Sequence, residues 1–166
     1  MNRKHLKNLT LAATIAALYV LFTWLAAALG LSSHPIQLRF SEALCILPYF
    51  TPAAIPGLFI GCLLANLLTS AAIWDVLFGS LATLIGALGS YALRRHAWLT
   101  PLPPILANML IIPPVIAYTT LAPDAVTPPL LLGYAATVGI GELLSCGVLG
   151  MLLLHVLKKH RKLLFE

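Results

Sequence analysis

Charged side chains are scarce in this sequence, and their scarcity excludes most soluble functions. Only 9% of the 166 residues are charged, whereas 60% are hydrophobic. A water-soluble domain needs a larger polar surface than this, so lipid is the predicted solvent. The net charge of +5 is divided among separate clusters rather than gathered in one patch, so no nucleic acid partner is predicted.

Motifs for metal binding and for catalysis are also missing. Cys45, Cys62 and Cys146 are far apart in apolar runs and lack the paired spacing of a metal site, so they are predicted to be small buried hydrophobes. No glycine-rich phosphate loop is present, which argues against ATP hydrolysis by this chain. No Ser/His/Asp arrangement is evident either. We therefore expect no cofactor, no metal and no enzymatic activity.

Long apolar runs dominate what the sequence does contain. A membrane-spanning helix needs about 20 apolar residues, so the chain has room for five to six crossings and for no sizeable soluble domain. Residues 1–166 are predicted to be a single all-α domain, a polytopic membrane protein forming a compact bundle of six transmembrane helices. The expected helices cover residues 6–29, 41–50, 51–69, 74–93, 101–121 and 130–157.

The basic clusters predict the topology. Cytoplasmic ends of membrane helices are enriched in Lys and Arg. If the short segment 41–50 counts as a crossing, all three basic clusters fall on the cytoplasmic side together with both termini; if it does not, the middle cluster falls outside. We therefore predict a multi-pass protein of the cell membrane whose second helix is short. The clusters are Arg3, Lys4 and Lys7; Arg94 and Arg95; and Lys158, Lys159, Arg161 and Lys162.

Small residues are concentrated on two of the predicted helices. In lipid, small side chains let helix backbones approach closely. The first helix therefore has a nearly flat face, suited either to a partner subunit or to internal packing. The third helix, with Gly57, Gly61 and Ala65, is predicted to pack deep in the bundle. The small residues of the first helix are Ala12, Ala13, Ala16 and Ala17.

Glu142 is the strongest functional signal, because a carboxylate near the bilayer centre costs a few kcal/mol unless it is paired or hydrated. Counting about 1.5 Å per residue along each helix places Asn108 at a similar depth. A carboxylate and an amide at one level can bind the donor and acceptor edge of a planar polar ligand. The alternative is a structural hydrogen bond between helices. The helix that carries Asn108 is expected to be broken by proline pairs at 103–104 and 113–114.

A second group of polar residues is predicted at the outer mouth of the bundle. Several of them have a structural alternative. Asp75 could complement a helix amino terminus, Glu42 could do the same while pairing with Arg39, and Trp74 could be an interfacial anchor. Together with Glu142, the acidic residues favour a small ligand with a positive group or several N–H donors. The mouth residues are Gln37, Arg39, Glu42, Trp74 and Asp75.

Several runs of this chain resemble the QueT family, the substrate-binding S components of energy-coupling factor transporters for queuosine precursors. The resemblance covers nearly the whole chain, and its middle runs are specific. They are QLRFSEAL at 37–44, PYFTPAAIPGLFIGCLLAN at 48–66, DVLFGSLAT at 75–83 and GELLS at 141–145.

The resemblance implies a binding subunit that captures a 7-deazaguanine such as preQ1 outside the cell. It implies delivery inward with a transmembrane coupling subunit and two cytoplasmic ATPases, the alanines of the first helix forming the docking face. Within such a pocket, Glu142 and Asn108 would bind the base edge, and Asp75 or Glu42 would meet the aminomethyl cation. Trp74 or Tyr118 would stack on the ring.

Three other functions remain open at this point. One is an S component for a different vitamin, such as a flavin or biotin. Another is a membrane-embedded enzyme with Glu142 as general base, which would need a second catalytic group at the same depth. The third is a purely structural membrane subunit, which predicts a core without a polar cavity.

Overall fold

The computed structural model describes residues 2–31, 38–69 and 71–165, and every regular element in these ranges is helical. The predicted all-α class is therefore confirmed. In chain order the main elements are α1 (Arg3–Ala28), a 3₁₀-helix (Phe40–Tyr49), α2 (Ala54–Leu68), α3 (Ile73–Ala92), α4 (Leu102–Thr120), α5 (Pro128–Glu142), a π-helix (Leu143–Leu149), α6 (Gly150–Lys159) and α7 (Arg161–Phe165).

Among the described residues, four helical segments are long and apolar enough to cross a membrane. This is the length pattern of a polytopic membrane protein. The last of them is one continuous helical segment made of α5, the π-helix and α6. The four segments are Arg3–Ala28, Ile73–Ala92, Ala97–Thr120 and Pro128–Lys159.

The 3₁₀-helix occupies the centre of the bundle. All residues from Ser41 to Pro48 are buried, and the segment contacts α1, α3, α6 and the π-helix. A 3₁₀-helix rises about 2 Å per residue, so these ten residues extend about 20 Å, further than an α-helix of the same length. The short second segment predicted from the sequence therefore exists, in an extended helical form that its neighbours enclose.

Glycines bring α1 and α2 into backbone contact. A Cβ atom added at Gly57 would lie 2.7 Å from the Ala12 carbonyl oxygen, and one at Gly61 would lie 3.0 Å from the Ala16 Cα. Neither position has room for a side chain. The predicted deep packing of this helix is thus confirmed, and its partner is α1.

The prolines do not break α4, contrary to expectation. Pro103 and Pro104 lie in its first turn, where backbone N–H groups have no intrahelical partner to lose. Pro113 and Pro114 lie inside a helix that continues from Leu102 to Thr120. α4 packs closely against α3, because a Cβ at Gly86 would meet the Pro104 Cα at 2.7 Å. This packing supports α4 despite the missing donors.

The basic clusters meet at one end of the bundle. Arg94, Arg95 and Arg161 line one cleft together with Tyr49 at the end of the 3₁₀-helix. A neighbouring cleft contains Arg3 and Lys7 of α1 beside Leu164 of the short α7. The structure therefore places α1's start, α3's end and α7 on the same side, as the charge distribution predicts.

Candidate ligand-binding site

Glu142 and Asn108 lie together in the interior, as the depth estimate predicts. They are 7% and 5% exposed and line a cavity of about 30 Å³ with Arg39, Ile112 and Val138. Glu142 is the last residue of α5, immediately before the π-helix. Such local widening of a helix is frequent at functional sites. No pattern in the amino-acid sequence predicted this π-helix.

Two polar atoms in the cavity lack hydrogen-bond partners among the described residues. They are Glu142 Oε2 and Asn108 Nδ2, whose side chains are close enough to attract each other but do not form a hydrogen bond of normal geometry. An unsatisfied buried polar group costs about 1–3 kcal/mol, so such atoms are rare without a functional reason. An acceptor and a donor therefore remain available to a molecule that enters the cavity.

Arg39 connects the acidic residues that the sequence singled out. Its guanidinium is close enough to attract the acidic side chains of Glu42, Glu142 and Asp75. The Arg39 backbone N–H donates to Ser145 Oγ at 3.2 Å, which holds this residue against the π-helix. Arg39 thus places a cation beside the acidic side chains in this part of the bundle.

Glu42 is not at the mouth of the bundle, where the sequence placed it. It is 2% exposed within the 3₁₀-helix. Its carboxylate accepts hydrogen bonds from the Tyr19 hydroxyl and, at 3.1 Å, from the Cys45 thiol. Since both oxygens are engaged, Glu42 stabilises the interior around Arg39 rather than presenting a vacant acceptor.

Tyr19 is the site residue that sequence reasoning missed. It is 1% exposed, and its hydroxyl connects α1 to Glu42. One turn later on the same helix, Thr23 Oγ1 donates to Ser41 Oγ at 2.9 Å. Two polar side chains four residues apart in the otherwise apolar second half of α1 were the available signal that this face meets polar partners.

Trp74 and Tyr118 lie away from Glu142. They are 54% and 64% exposed and line a separate apolar groove of about 510 Å³ between α3 and α4. Asp75 is half-buried in the first turn of α3, where its backbone carbonyl accepts from Asn66 Nδ2 at 3.3 Å. Gln37 lies outside the described residues.

The alanine face of α1 is divided between two environments. Ala12 and Ala16 pack against Gly57 and Gly61 of α2, which fulfils the alternative of internal packing for these two. Ala13 and Ala17 are exposed on the outside of the bundle. Only the second pair is available to a partner in this structure.

Buried polar groups converging on a small cavity within a lipid-facing helical bundle are typical of membrane proteins that bind small polar solutes. The chain belongs to the QueT transporter family, whose sequence model matches residues 9–159. The predicted resemblance is thereby confirmed, and the family is one of transporters.

A curated relative supports the same grouping. The chain is 34% identical over 85 residues to a protein of Lactococcus lactis subsp. cremoris (strain MG1363) named "Queuosine precursor transporter QueT". The match covers 51% of this chain and 50% of that protein, so the chain spans about half the length of the relative in this alignment. No solved structure matches the chain.

Proposed function

We propose that this chain is the substrate-binding S component of an energy-coupling factor importer and captures a queuosine precursor. The observation that carries the proposal is the unpartnered acceptor and donor of Glu142 and Asn108 facing one cavity in a QueT-family chain. Family membership favours transport over catalysis by Glu142. The two buried groups favour a binding subunit over a purely structural one.

The polar cluster suits a 7-deazaguanine. The Glu142 carboxylate accepts from the N–H donors of the base edge, and the Asn108 amide bonds the ring carbonyl. The acidic side chains around Arg39 favour a cationic substituent, and Asp75 is the most accessible of them. A cavity of about 30 Å³ holds little more than a water molecule, so ligand binding widens it. Trp74 or Tyr118 can stack on the ligand only if the widened cavity extends to the groove between α3 and α4.

The proposed topology has six crossings with both termini in the cytoplasm. It is supported by the gathering of the basic clusters at one end of the bundle, because the cytoplasmic side is enriched in Lys and Arg. ATP hydrolysis is assigned to two separate cytoplasmic ATPases, and a transmembrane coupling subunit connects them to this chain. The exposed Ala13 and Ala17 are the proposed docking positions.

A direct test compares ligands that differ in charge. The full chain, purified in detergent, is expected to bind an aminomethyl-bearing 7-deazaguanine at least about tenfold more tightly than the neutral nitrile analogue, because a charged hydrogen bond is the stronger one. Isothermal titration calorimetry measures both affinities. Binding of riboflavin or biotin in their place would identify an S component for another vitamin and contradict the proposal.

The docking positions are tested separately. Ala13→Leu combined with Ala17→Leu is expected to prevent copurification with the coupling subunit, because the larger side chains keep the two helices apart. Ligand affinity should not change, since neither residue is buried in the bundle. The matched control is Ala136→Leu, at an exposed position of α5. Undiminished assembly of the double variant would remove these alanines from the interface.

A further inference from the structure

A second polar cleft lies at the basic end of the bundle, away from the Glu142 cavity. It has a volume of about 290 Å³, close to the lower limit of small-molecule sites. Three separate parts of the chain form it, and none of the described residues that line it is acidic. We call it the basic cleft, and its residues are Tyr49, Phe50, Pro52, Tyr91, Arg94, Arg95 and Arg161.

One arginine of the basic cleft is held in place by the protein. The Arg94 guanidinium lies 3.8 Å from the centroid of the Tyr91 ring, and its Nη1 donates to the Tyr91 carbonyl at 3.0 Å. A side chain already fixed by such contacts loses less conformational entropy when it binds a ligand. A planar guanidinium is also suited to bidentate contact with phosphate.

Tyr49 and Phe50 form an aromatic wall of the basic cleft. Phe50 stacks on Phe165 with ring centroids 4.8 Å apart, and Tyr49 meets Phe50 edge-on, also at 4.8 Å. The Lys158 ammonium lies 5.1 Å from the Tyr49 ring centroid and adds positive charge nearby. The cleft therefore combines cations with aromatic rings.

A neighbouring tryptophan is in keeping with a position at the membrane surface. Trp98 follows the Arg94 and Arg95 pair in the chain and is 71% exposed. Exposed tryptophans of membrane proteins are enriched at the level of the lipid headgroups. A ligand that reaches the basic cleft from the headgroup level is therefore expected to be amphipathic, with a charged group and an apolar part.

We propose that the basic cleft binds the phosphate headgroup of an anionic phospholipid. Arg94 and Arg95 bind the phosphate, and the aromatic wall contacts the glycerol backbone and the start of the acyl chains. Basic pockets between membrane helices bind such headgroups on the cytoplasmic side. The lipid would join the end of α3 to the carboxyl-terminal helices, independently of the ligand at Glu142.

The test measures lipid retention by the full chain in detergent with native mass spectrometry. The unmodified protein is expected to retain phosphatidylglycerol in preference to phosphatidylcholine. Arg94→Gln with Arg95→Gln should lower phosphatidylglycerol affinity by about tenfold or more, given the attraction per basic residue near anionic lipid. The matched control, Lys4→Gln with Lys7→Gln, removes the same charge from α1 at the same end and should have little effect.

Several outcomes would overturn the proposal. Equal losses in the two double variants would show general attraction to positive charge rather than a site. Displacement of the lipid by an equal concentration of inorganic phosphate would show an ion site. Absence of lipid retention, combined with weaker assembly of the Arg94/Arg95 variant with the coupling subunit, would show a protein-docking surface.

Folding of the arginine variant is checked with the 7-deazaguanine ligand, whose affinity should be unchanged. If that variant fails to fold, Arg94→Lys with Arg95→Lys replaces it. The lysines keep the charge but lose bidentate geometry, so reduced phosphatidylglycerol retention is still expected. Full retention by the lysine variant would contradict recognition by the guanidinium groups.

Discussion

Glu142→Gln is expected to lower the affinity for the aminomethyl-bearing 7-deazaguanine by about 100-fold or more, as loss of one partner of a buried charged contact does. In the amide one of the two acceptor oxygens is replaced by an NH₂ donor, so glutamine cannot bridge two neighbouring N–H groups as the carboxylate does. Glutamine has nearly the same size as glutamate. The fold should therefore persist.

Calorimetry of ligand binding and thermal unfolding in detergent together test this prediction. The unfolding temperature of the Glu142→Gln protein should be equal to or above that of the unmodified protein, because a buried ionisable group is replaced by a neutral one of the same size. Asp124→Asn is the matched control, since Asp124 is exposed in the loop between α4 and α5. Unchanged ligand affinity in Glu142→Gln would exclude Glu142 from the site.

Gly61→Val is expected to destabilise the protein by about 3 kcal/mol through the contact between α1 and α2. The first added carbon would already lie 2.8 Å from the Tyr19 Cβ and 3.0 Å from the Ala16 Cα. Backbone atoms cannot move aside as a flexible side chain can. α1 would therefore have to shift away from α2.

Gly133→Val provides the comparison, because a Cβ at Gly133 would meet nothing within 4 Å. Thermal unfolding in detergent measures both variants. The Gly133 variant should unfold near the temperature of the unmodified protein, and the Gly61 variant many degrees lower. Similar unfolding temperatures for the two would mean that the close approach of α1 to α2 contributes little to stability.

The Glu142→Gln and Gly61→Val variants distinguish an effect on ligand binding from an effect on folding. Tyr19 both faces Gly61 and donates to Glu42, so a shift of α1 also disturbs the polar interior. Gly61→Val should therefore reduce stability and ligand affinity together. Glu142→Gln should reduce affinity alone. A loss of stability in both would indicate that Glu142 has a structural role.

The sequence by itself predicted much of the fold. Apolar run length placed α1, α3 and α4 to within a few residues, because the bilayer sets the length of a spanning helix. The high cost of an intramembrane carboxylate singled out Glu142, and counting residues along two helices placed Asn108 at its depth. These predictions depend only on residue counts along single helices and on the lipid environment. They do not require knowledge of which helices are neighbours.

Only the tertiary structure decided how the faces of these helices are used. Ala16 packs against α2, whereas Ala17 is exposed on the outside of the bundle. The Tyr19 hydroxyl donates to Glu42, and Trp74 lines a groove apart from the polar cavity. In lipid, small and apolar residues suit both a helix contact and the lipid surface, so composition does not distinguish the two. Close packing makes that choice, and it sets the helix pairing on which every contact at the site depends.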